Sequence, residues 1–350
     1  MKRSLIFFER WLDPVAEDVL VQQPDIELVR LSYADSEAGN WAKMEQAHGY
    51  QISPGTEIRP PWRADAALLA RCPNLLAISS SGAGFDTIDV AECTRLGILV
   101  CNQSGSNHHS VAEHTLGFML ALSKKIVLYG HLMRKQSLDN RFDHLGREVR
   151  GKTVGLVGIG KIGTRVAEMC RGILDMQVLA CDPYLSASEI EQRGGTKVDL
   201  DGLFARSDFV SVHCPLNAET RGMIGASQLG RMKPSAFFIT TARGGVHDEA
   251  ALVEALAARR IAGAGIDVFD VEPPPHTHPL LRFDTVIATP HIAGVTVESM
   301  RSMAQNAAEQ WVTLLSAGRP PRIVNPEVWP RYCERHARIL GQQPASDRED

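Results

Sequence analysis

The chain has 350 residues, of which 44% are hydrophobic and 22% charged, and its formal net charge is -4. This length exceeds what most single hydrophobic cores reach, so it predicts about two domains, and the composition is that of an ordinary folded protein. The slightly negative charge and the lack of a long basic run argue against nucleic acid or an anionic membrane as a partner.

The first residues, MKRSLIFFER, resemble the start of a signal peptide, but their apolar stretch covers only Leu5 to Phe8. The longest apolar helix candidate, near residues 116–122, is far shorter than the roughly 20 residues that span a bilayer. The seven cysteines form no CxxC pair, which favours reduced thiols. We therefore expect a cytoplasmic protein without a transmembrane segment.

Short strand-like runs alternate with amphipathic stretches along most of the chain, which is typical of parallel sheets covered by helices. A first series of five strands is predicted at residues 5–8, 26–31, 50–53, 75–80 and 97–101. A long helix is predicted over 107–126 because apolar residues recur there at helical spacing. A second series of six strands is predicted at residues 153–159, 176–181, 209–213, 236–241, 264–268 and 285–289. A helix over 297–318 follows, and we expect the polar tail from Cys333 to be loosely ordered.

A glycine-rich turn, GIGKIG, follows the first strand of the second series and precedes a helical pattern. Gly158, Gly160 and Gly163 have the GxGxxG spacing of a dinucleotide-binding turn. In that geometry Gly158 permits the turn, Gly160 lets a pyrophosphate approach the backbone, and Gly163 lets the helix pack closely on the strand. The amino terminus of the helix then attracts the phosphates.

Asp182 ends the next predicted strand, 19 residues after Gly163. An acidic side chain at this position can accept hydrogen bonds from an adenosine ribose and repels a 2'-phosphate. Since Pro183 and Tyr184 follow it in place of arginine, the sequence favours NAD over NADP. The competing interpretation is that Asp182 only caps a helix.

Three charged residues, Arg243, Glu272 and His291, come where later strands of this sheet should end. Open α/β sheets bind ligands at that edge. Imidazole suits proton donation to a carbonyl oxygen, and a guanidinium can pair with a carboxylate through two parallel bonds. A carboxylate hydrogen-bonded to the imidazole favours the protonated ring and fixes its orientation. The trio therefore predicts reduction of a 2-oxo acid.

Seven motifs together resemble those of the NAD-dependent D-isomer-specific 2-hydroxyacid dehydrogenase family, in the family's order, from about residue 50 to 325. They are GAGFDTID, SVAEHTLGFML, GIGKIG, HCPLNAETRGMI, MKPSAFFITTARGG, GIDVFDVEP and TPHIAG. The resemblance implies that Arg243, Glu272 and His291 are catalytic, that Arg243 also binds the substrate carboxylate, and that the backbone amides of Ala83 and Gly84 help to bind it.

The resemblance also implies the fold: two doubly wound parallel-sheet domains, with a Rossmann NAD-binding domain inserted into a flavodoxin-like substrate-binding domain. The expected substrate-binding domain covers residues 1–104 and 295–330, the NAD-binding domain 105–294, and the tail 331–350. A homodimer through the NAD-binding domain is expected, with the 110–120 helix in the interface.

Further cofactor contacts are expected from the resemblance, in addition to the glycine turn, Asp182 and His291. They fall on Thr115, Lys161, Ile162, Cys214, Thr220, Thr241, Asp267 and Gly294. Of these, Asp267 is expected to face the nicotinamide carboxamide, while Thr115, Cys214 and Thr241 are expected to line the cofactor cleft.

Two departures from the family pattern concern local chemistry. Thr240 stands where asparagine is common, which should alter hydrogen bonding without removing a charge. Ser53 and Ser80 stand where members specialised for 3-phosphoglycerate are expected to carry arginines, although Arg59, Arg63 or Arg141 could contact a phosphate. We expect specificity to depend on loops around residues 53–63 and 80–85.

Several histidines have plainer interpretations. His108, His109, His276 and His278 are expected to be surface or loop residues rather than metal ligands, so no metal site is predicted. Glu113 and His114 are expected to serve as interface or capping residues.

Three alternatives to an NAD-dependent enzyme acting on a small 2-hydroxy or 2-oxo acid remain open. One is an NAD-sensing interaction protein similar to transcriptional corepressors that turn over slowly. Another is a D-3-phosphoglycerate dehydrogenase without a regulatory domain, since only 20 residues follow residue 330. The third is formate oxidation, which the resemblance disfavours because formate enzymes are expected to carry glutamine at position 272.

Overall fold

The computed structural model of the chain describes residues 2–53, 57–342 and 344. The chain divides into two compact units. The discontinuous unit comprises Met1–Asn107 and Thr296–Asp350, and the continuous unit comprises His108–Val295. Within the described ranges, we find no helix that is both long and apolar enough to cross a bilayer.

The discontinuous unit contains a parallel sheet of five strands in the order β2-β1-β3-β4-β5. Its strands are β1 (Arg3–Phe8), β2 (Ile26–Leu31), β3 (Gly49–Ile52), β4 (Ala77–Ser80) and β5 (Leu99–Cys101). Its helices are α1 (Val15–Leu20), α2 (Glu37–Met44), α3 (Ala66–Arg71), α4 (Val90–Leu96), α12 (Val297–Leu315) and α13 (Trp329–Leu340). This strand order is that of flavodoxin-like folds, as predicted.

Both faces of this sheet are buried, because alternate residues of each strand point to opposite sides. Leu5 and Phe7 of β1 pack with α1 and α12, whereas Ile6 and Phe8 pack with α2 and α3 on the other face. Trp311 of α12 is completely buried in the first of these clusters.

The expectation of a loosely ordered tail from Cys333 is wrong for residues 333–340. These residues belong to α13, which buries Trp329 and Tyr332 in the same cluster as Trp311. The buried positions recur at helical spacing, so their apolar contacts stabilise the helix despite its many charged residues. Residues 343 and 345–350 of the expected tail lie outside the described residues.

The continuous unit contains a parallel sheet of seven strands in the order β12-β11-β10-β9-β6-β7-β8. Its strands are β6 (Thr153–Val157), β7 (Gln177–Cys181), β8 (Thr196–Lys197), β9 (Phe209–Val212), β10 (Phe237–Thr240), β11 (Gly263–Ile266) and β12 (Val286–Ala288). Its helices are α5 (His108–Lys124), α6 (Ile126–Leu132), α7 (Lys161–Leu174), α8 (Ala187–Gln192), α9 (Leu200–Arg206), α10 (Ala226–Leu229) and α11 (Glu249–Ala257). Three 3-10 turns at Arg141–His144, Pro279–Arg282 and Pro326–Val328 complete the elements of the described residues.

The predicted fold class is confirmed: both sheets are parallel, and the strand order of the continuous unit reverses beside β6 as in dinucleotide-binding sheets. The prediction of six strands in this unit is wrong by one. The two-residue strand β8 was missed because it has no apolar alternation, and it extends the sheet by pairing with β7.

The predicted helix over 107–126 is split. Lys125 has a left-handed backbone with φ 55°, so α5 ends at Lys124 and α6 begins at Ile126. Because the strands are parallel, the residues that follow β6, β7, β9, β10, β11 and β12 lie at one edge of the sheet, where we look for the site.

Candidate active site

Glu272 and His291 form a direct pair at this edge of the continuous unit. Oε2 of Glu272 lies 2.7 Å from Nδ1 of His291, and Oε1 accepts a 3.0 Å hydrogen bond from the amide of Phe269. Their side chains are 19% and 36% exposed, respectively. With Nδ1 held by the carboxylate, Nε2 is the ring nitrogen available to a substrate.

The environment of Glu272 favours its ionised form. Burial opposes ionisation, but the hydrogen bond and charge of His291, the amide of Phe269 and the Arg243 guanidinium together hold the pKa of this carboxyl below its ordinary value. A carboxylate that stays ionised can stabilise a positive charge on the neighbouring imidazole.

Arg243 follows β10 and is half-buried, and its Nη1 donates to the carbonyl of Ala242 at 2.7 Å. Its loop is packed against the Glu272 loop, since a Cβ atom placed on Gly244 would lie 2.0 Å from the carbonyl oxygen of Phe269. The amide of Gly245 also donates to Asp270 at 2.6 Å. The fold therefore brings the loops of Arg243, Glu272 and His291 to one edge.

His291 itself has an unusual backbone conformation, with φ 56°. A residue with a Cβ atom loses roughly 1–2 kcal/mol in this left-handed region, so neighbouring contacts must hold it there. Its amide donates to the carbonyl oxygen of Asp267 at 2.7 Å.

The Asp267 carboxylate organises the rest of this loop. Its side chain is 1% exposed, and its oxygens accept from Thr289 Oγ1 at 2.6 Å, the Ile292 amide at 2.8 Å and the Ala293 amide at 2.9 Å. The carboxylate thus orders the residues on both sides of His291. The predicted contact of Asp267 with the nicotinamide carboxamide stays a prediction.

His114 belongs to this network, whereas the sequence suggested only an interface or capping role for it. Its Nε2 lies 3.1 Å from Thr289 Oγ1 and 3.9 Å from Asp267 Oδ1. Burial lowers the pKa of His114, and the charge of Asp267 opposes this shift only in part. The only signal in the sequence was its position on the helix of a family motif, which does not identify its partner.

The glycine turn has the geometry expected of a dinucleotide site. Gly158 has φ 89°, and a Cβ on it would lie 3.0 Å from the amide nitrogen of Cys214. A Cβ on Gly163 would lie 2.4 Å from the carbonyl oxygen of Gly158, so only glycine lets α7 approach β6 this closely. A Cβ on Gly160 would meet no protein atom within 4 Å, which fits a backbone that a phosphate can approach. Gly160 is also the N-cap of α7, with no side-chain cap.

Asp182 lies beside this turn, at the end of β7. Its Oδ2 accepts from the amide of Ile159 at 3.2 Å, and its Oδ1 accepts from the amide of Tyr184 at 3.1 Å. The carboxylate is half-buried and therefore accessible to a ribose hydroxyl. Together the glycines and Asp182 fit a dinucleotide-binding turn.

The other residues expected to contact the cofactor are distributed along the same unit. Thr115 and Thr241 are both buried, with their hydroxyl oxygens 3.4 Å apart, so α5 meets the end of β10 there. Cys214 is half-buried beside Gly158, and burial raises the pKa of its thiol to about 11. The remaining four lie at the start of α7, in the loop after β9 and in the loop after β12; they are Lys161, Ile162, Thr220 and Gly294.

The loop expected to bind a carboxylate lies in the discontinuous unit, after β4. The carbonyls of Gly82, Ala83 and Gly84 accept from the Gln103 amide, Asn102 Nδ2 and Ser80 Oγ at 2.9, 2.7 and 2.5 Å. These hydrogen bonds fix the 82–84 loop within its unit, and the predicted binding of a carboxylate by the amides of Ala83 and Gly84 stays a prediction.

The two departures from the family pattern also have structural counterparts. Thr240 is fully buried in β10, and among the described residues its hydroxyl oxygen has no hydrogen-bond partner. Ser80 holds the 82–84 loop, and the Arg59 guanidinium stacks on the ring of Tyr33. Residues 54–56 of the expected specificity loop lie outside the described residues.

Histidines outside the network differ among themselves. The rings of His108 and His109 lie 3.9 Å apart, and His276 is exposed. His278 lies in a loop, as expected, but its side chain is only 12% exposed and its Nε2 lies 3.0 Å from Glu249 Oε2. No cluster of three potential metal ligands occurs in the part of the chain that the structure describes.

Comparison with known proteins agrees with this geometry. Residues 116–293 match the family described as "D-isomer specific 2-hydroxyacid dehydrogenase, NAD binding domain". A D-3-phosphoglycerate dehydrogenase of Archaeoglobus fulgidus is 40% identical over 76% of this chain and 50% of its own length. A glyoxylate reductase of Thermofilum pendens is 40% identical over 76% of this chain and 79% of its own.

A solved structure of D-lactate dehydrogenase from Aquifex aeolicus, complexed with NAD and lactic acid, has a TM-score of 0.77 and 26% identity. The similarity covers 91% of this chain and 98% of that one. The chain therefore spans most of the reductase and the D-lactate dehydrogenase, but only about half the length of the phosphoglycerate dehydrogenase.

Proposed function

The chain belongs to the D-isomer-specific 2-hydroxyacid dehydrogenase family, and we propose that it transfers hydride between NAD and a small 2-oxo or D-2-hydroxy acid. The observation that carries this proposal is the 2.7 Å contact between Glu272 Oε2 and His291 Nδ1, beside a charged Arg243. Such a pair is a proton donor held in one orientation next to a group that binds carboxylates.

In the proposed reduction, Nε2 of His291 donates its proton to the carbonyl oxygen of the substrate, and in the reverse direction it accepts the hydroxyl proton. Glu272 stays ionised and stabilises the imidazolium through Nδ1, so the ring does not turn away during the reaction. Arg243 pairs with the substrate carboxylate and places the carbonyl carbon at a fixed distance from the histidine. When bound, NADH supplies the hydride.

The positions of the other residues support the binding roles that we propose for them. Gly158, Gly160 and Gly163 would hold the pyrophosphate at the start of α7, and Asp182 would accept hydrogen bonds from the adenosine ribose. The acidic side chain of Asp182 would repel a 2'-phosphate, so we propose NAD as the preferred cofactor. For the discontinuous unit, we propose that the amides of Ala83 and Gly84 bind the substrate carboxylate.

We further propose that the protein is a homodimer. The 126–145 segment, which comprises α6 and the residues after it, presents apolar side chains that are each more than half exposed; they are Ile126, Val127, Met133, Phe142 and Leu145. Helix α6 has no buried residue in the single chain, although five of its seven residues are Ile, Val, Leu or Tyr. A second copy would remove this surface from water.

Sedimentation velocity tests the dimer. We expect the unaltered chain to sediment as a dimer and the double variant Ile126→Glu/Met133→Glu to sediment as a monomer, because each charge would be buried in the interface. Val21→Glu, at an exposed apolar residue of the discontinuous unit, is the control and should leave the dimer intact. A monomeric unaltered chain would disprove the proposal.

Cys72, Cys93, Cys101 and Cys170 are buried free thiols. Free thiols persist in reducing compartments, and this supports the cytoplasm as the location.

The substrate is identified by following NADH oxidation with glyoxylate, hydroxypyruvate, pyruvate and phosphohydroxypyruvate. We expect turnover of at least one of these acids, and His291→Asn should lower it by roughly a hundredfold or more with little change in NADH affinity. Tight NADH binding without turnover of any acid would instead support the NAD-sensing interaction protein. Preference for phosphohydroxypyruvate would support a phosphoglycerate dehydrogenase.

A further inference from the structure

Helix α5 is fixed against the strands that carry the candidate active site. A Cβ atom placed on Gly265 of β11 would lie 2.7 Å from Cγ of Phe118, so this glycine lets the Phe118 ring pack directly on the strand. His114 lies one helical turn before Phe118, and its ring packs edge-on against that ring with centroids 4.5 Å apart. This contact positions the imidazole of His114 at the carboxyl end of β11 and β12.

The hydrogen bonds that connect His114, Thr289 and Asp267 can be donated in only one direction, from His114 towards Asp267. The hydroxyl of Thr289 has a single proton, and this proton is donated to Asp267 Oδ1 at 2.6 Å. At its 3.1 Å contact with His114, Thr289 Oγ1 can therefore only accept. Nε2 of His114 must therefore carry a proton, and burial, which lowers the pKa of this histidine, favours the neutral ring with its one proton on Nε2.

The series of hydrogen bonds that starts at His114 ends on the segment that carries His291. Asp267 accepts from Thr289, Ile292 and Ala293, and its carbonyl accepts from the amide of His291. The left-handed backbone of His291 depends on these contacts. Without a donor at position 114, the Thr289 hydroxyl could rotate away from Asp267, and one of the three bonds that anchor the segment to the carboxylate would be lost.

We propose that His114 is a positioning residue. Its Nε2 donates to Thr289 Oγ1, so the Thr289 hydroxyl donates to Asp267, and this holds His291 in the conformation that meets Glu272. The proposal rests on the proposed function for its effect on catalysis, but its effect on the 289–293 segment is independent of any activity. Among the residues of this hydrogen-bond network, only His291 is required to touch the substrate.

The test compares two substitutions at one position. His114→Leu keeps apolar packing on Phe118 and removes the donor, whereas His114→Gln keeps an N–H donor at a similar reach. Loss of one neutral hydrogen bond should lower kcat of the Leu variant roughly 3- to 10-fold, with KM for the acid and the Kd of NADH within about twofold of the unaltered chain. We expect the Gln variant to recover most of kcat.

Amide hydrogen exchange provides a readout that does not need turnover. We expect faster exchange at Ile292 and Ala293 in His114→Leu, near-normal exchange in His114→Gln, and no change in the control His276→Leu at an exposed histidine. Thr289→Val should reproduce the Leu variant, and the double variant His114→Leu/Thr289→Val should be no worse than either single one.

Two results would overturn the proposal. One is unaltered kcat together with unaltered exchange at residues 292 and 293 in His114→Leu. The other is an equal loss in the Leu and Gln variants accompanied by weaker NADH binding, which would mark a general structural role. If the unaltered chain reduces no acid, the proposed function fails, but the exchange comparison still decides the role of His114.

Discussion

The contact between Glu272 and His291 makes a quantitative prediction for Glu272→Gln. Glutamine can keep the bond from the Phe269 amide to Oε1, but its NH2 group would then face Nδ1 of His291. A donor in that place cannot stabilise a protonated ring. A charge-assisted hydrogen bond of 2.7 Å contributes about 1.5–3 kcal/mol, so kcat for reduction should fall about 10- to 150-fold if all of it is expressed in the transition state.

Steady-state rates of NADH oxidation with the best substrate measure this effect, and the Kd of NADH from fluorescence titration should stay within about twofold. Glu249→Gln is the matched control, because it alters another histidine–carboxylate pair, Glu249 Oε2 to His278 Nε2 at 3.0 Å. We expect its kcat to stay within about twofold. If Glu272→Gln keeps more than half of the original kcat, the carboxylate does not support the proton donor.

Three further predictions concern the continuous unit. Gly163→Ala should destabilise the fold by about 1–3 kcal/mol in thermal unfolding, because its Cβ would lie 2.4 Å from a carbonyl oxygen. Gly160→Ala should instead keep the Tm and weaken NADH binding, because its Cβ would meet no protein atom within 4 Å. Equal stability of the two variants would contradict this prediction. Asp182→Ala should raise the ratio of kcat/KM for NADPH over NADH by roughly tenfold or more, and an unchanged ratio would show that Asp182 does not select the cofactor. Burial lowers the pKa of His213 from 6.5 to about 4. As the pH falls, the unfolded chain therefore binds a proton at this histidine before the folded chain does, and stability is lost between these two pKa values. The free energy of unfolding of His213→Asn, measured by urea titration, should therefore fall less steeply between pH 6.5 and 4 than that of the unaltered chain, and the two slopes should differ by up to about one proton. An identical slope would refute a buried neutral ring.

Residue type and strand position were sufficient to predict that the three residues of the proposed catalytic trio lie at one edge of the sheet. Arg243, Glu272 and His291 follow β10, β11 and β12, and the carboxyl ends of parallel strands meet at one edge. The glycine turn was found for a similar reason, since its three positions each meet a steric demand that a spacing pattern records. Parallel-sheet topology thus converts positions far apart in sequence into neighbours.

Elements without a periodic apolar signal could not be predicted in the same way. Strand β8 has only two residues, and both are exposed at the edge of the sheet. Helix α13 is a different case: its buried positions do recur at helical spacing, but its many charged side chains led us to expect a loosely ordered tail, and Trp329 and Tyr332 pack in the same cluster as Trp311. For such elements the tertiary contacts, rather than local propensity, decide the structure.

The groups that orient the reacting residues were invisible in the sequence for a different reason. His291 has a backbone conformation that costs roughly 1–2 kcal/mol, and the compensating bonds come from the buried Asp267 carboxylate, the Thr289 hydroxyl and the His114 ring. Asp267 and His114 need no particular spacing relative to His291, because a side chain can reach the segment from any element packed beside it. A catalytic side chain is identified by its chemistry, but the angle at which it meets its partner depends on contacts that only the folded chain creates. That dependence is why a leucine at position 114 should slow proton transfer while cofactor affinity is retained.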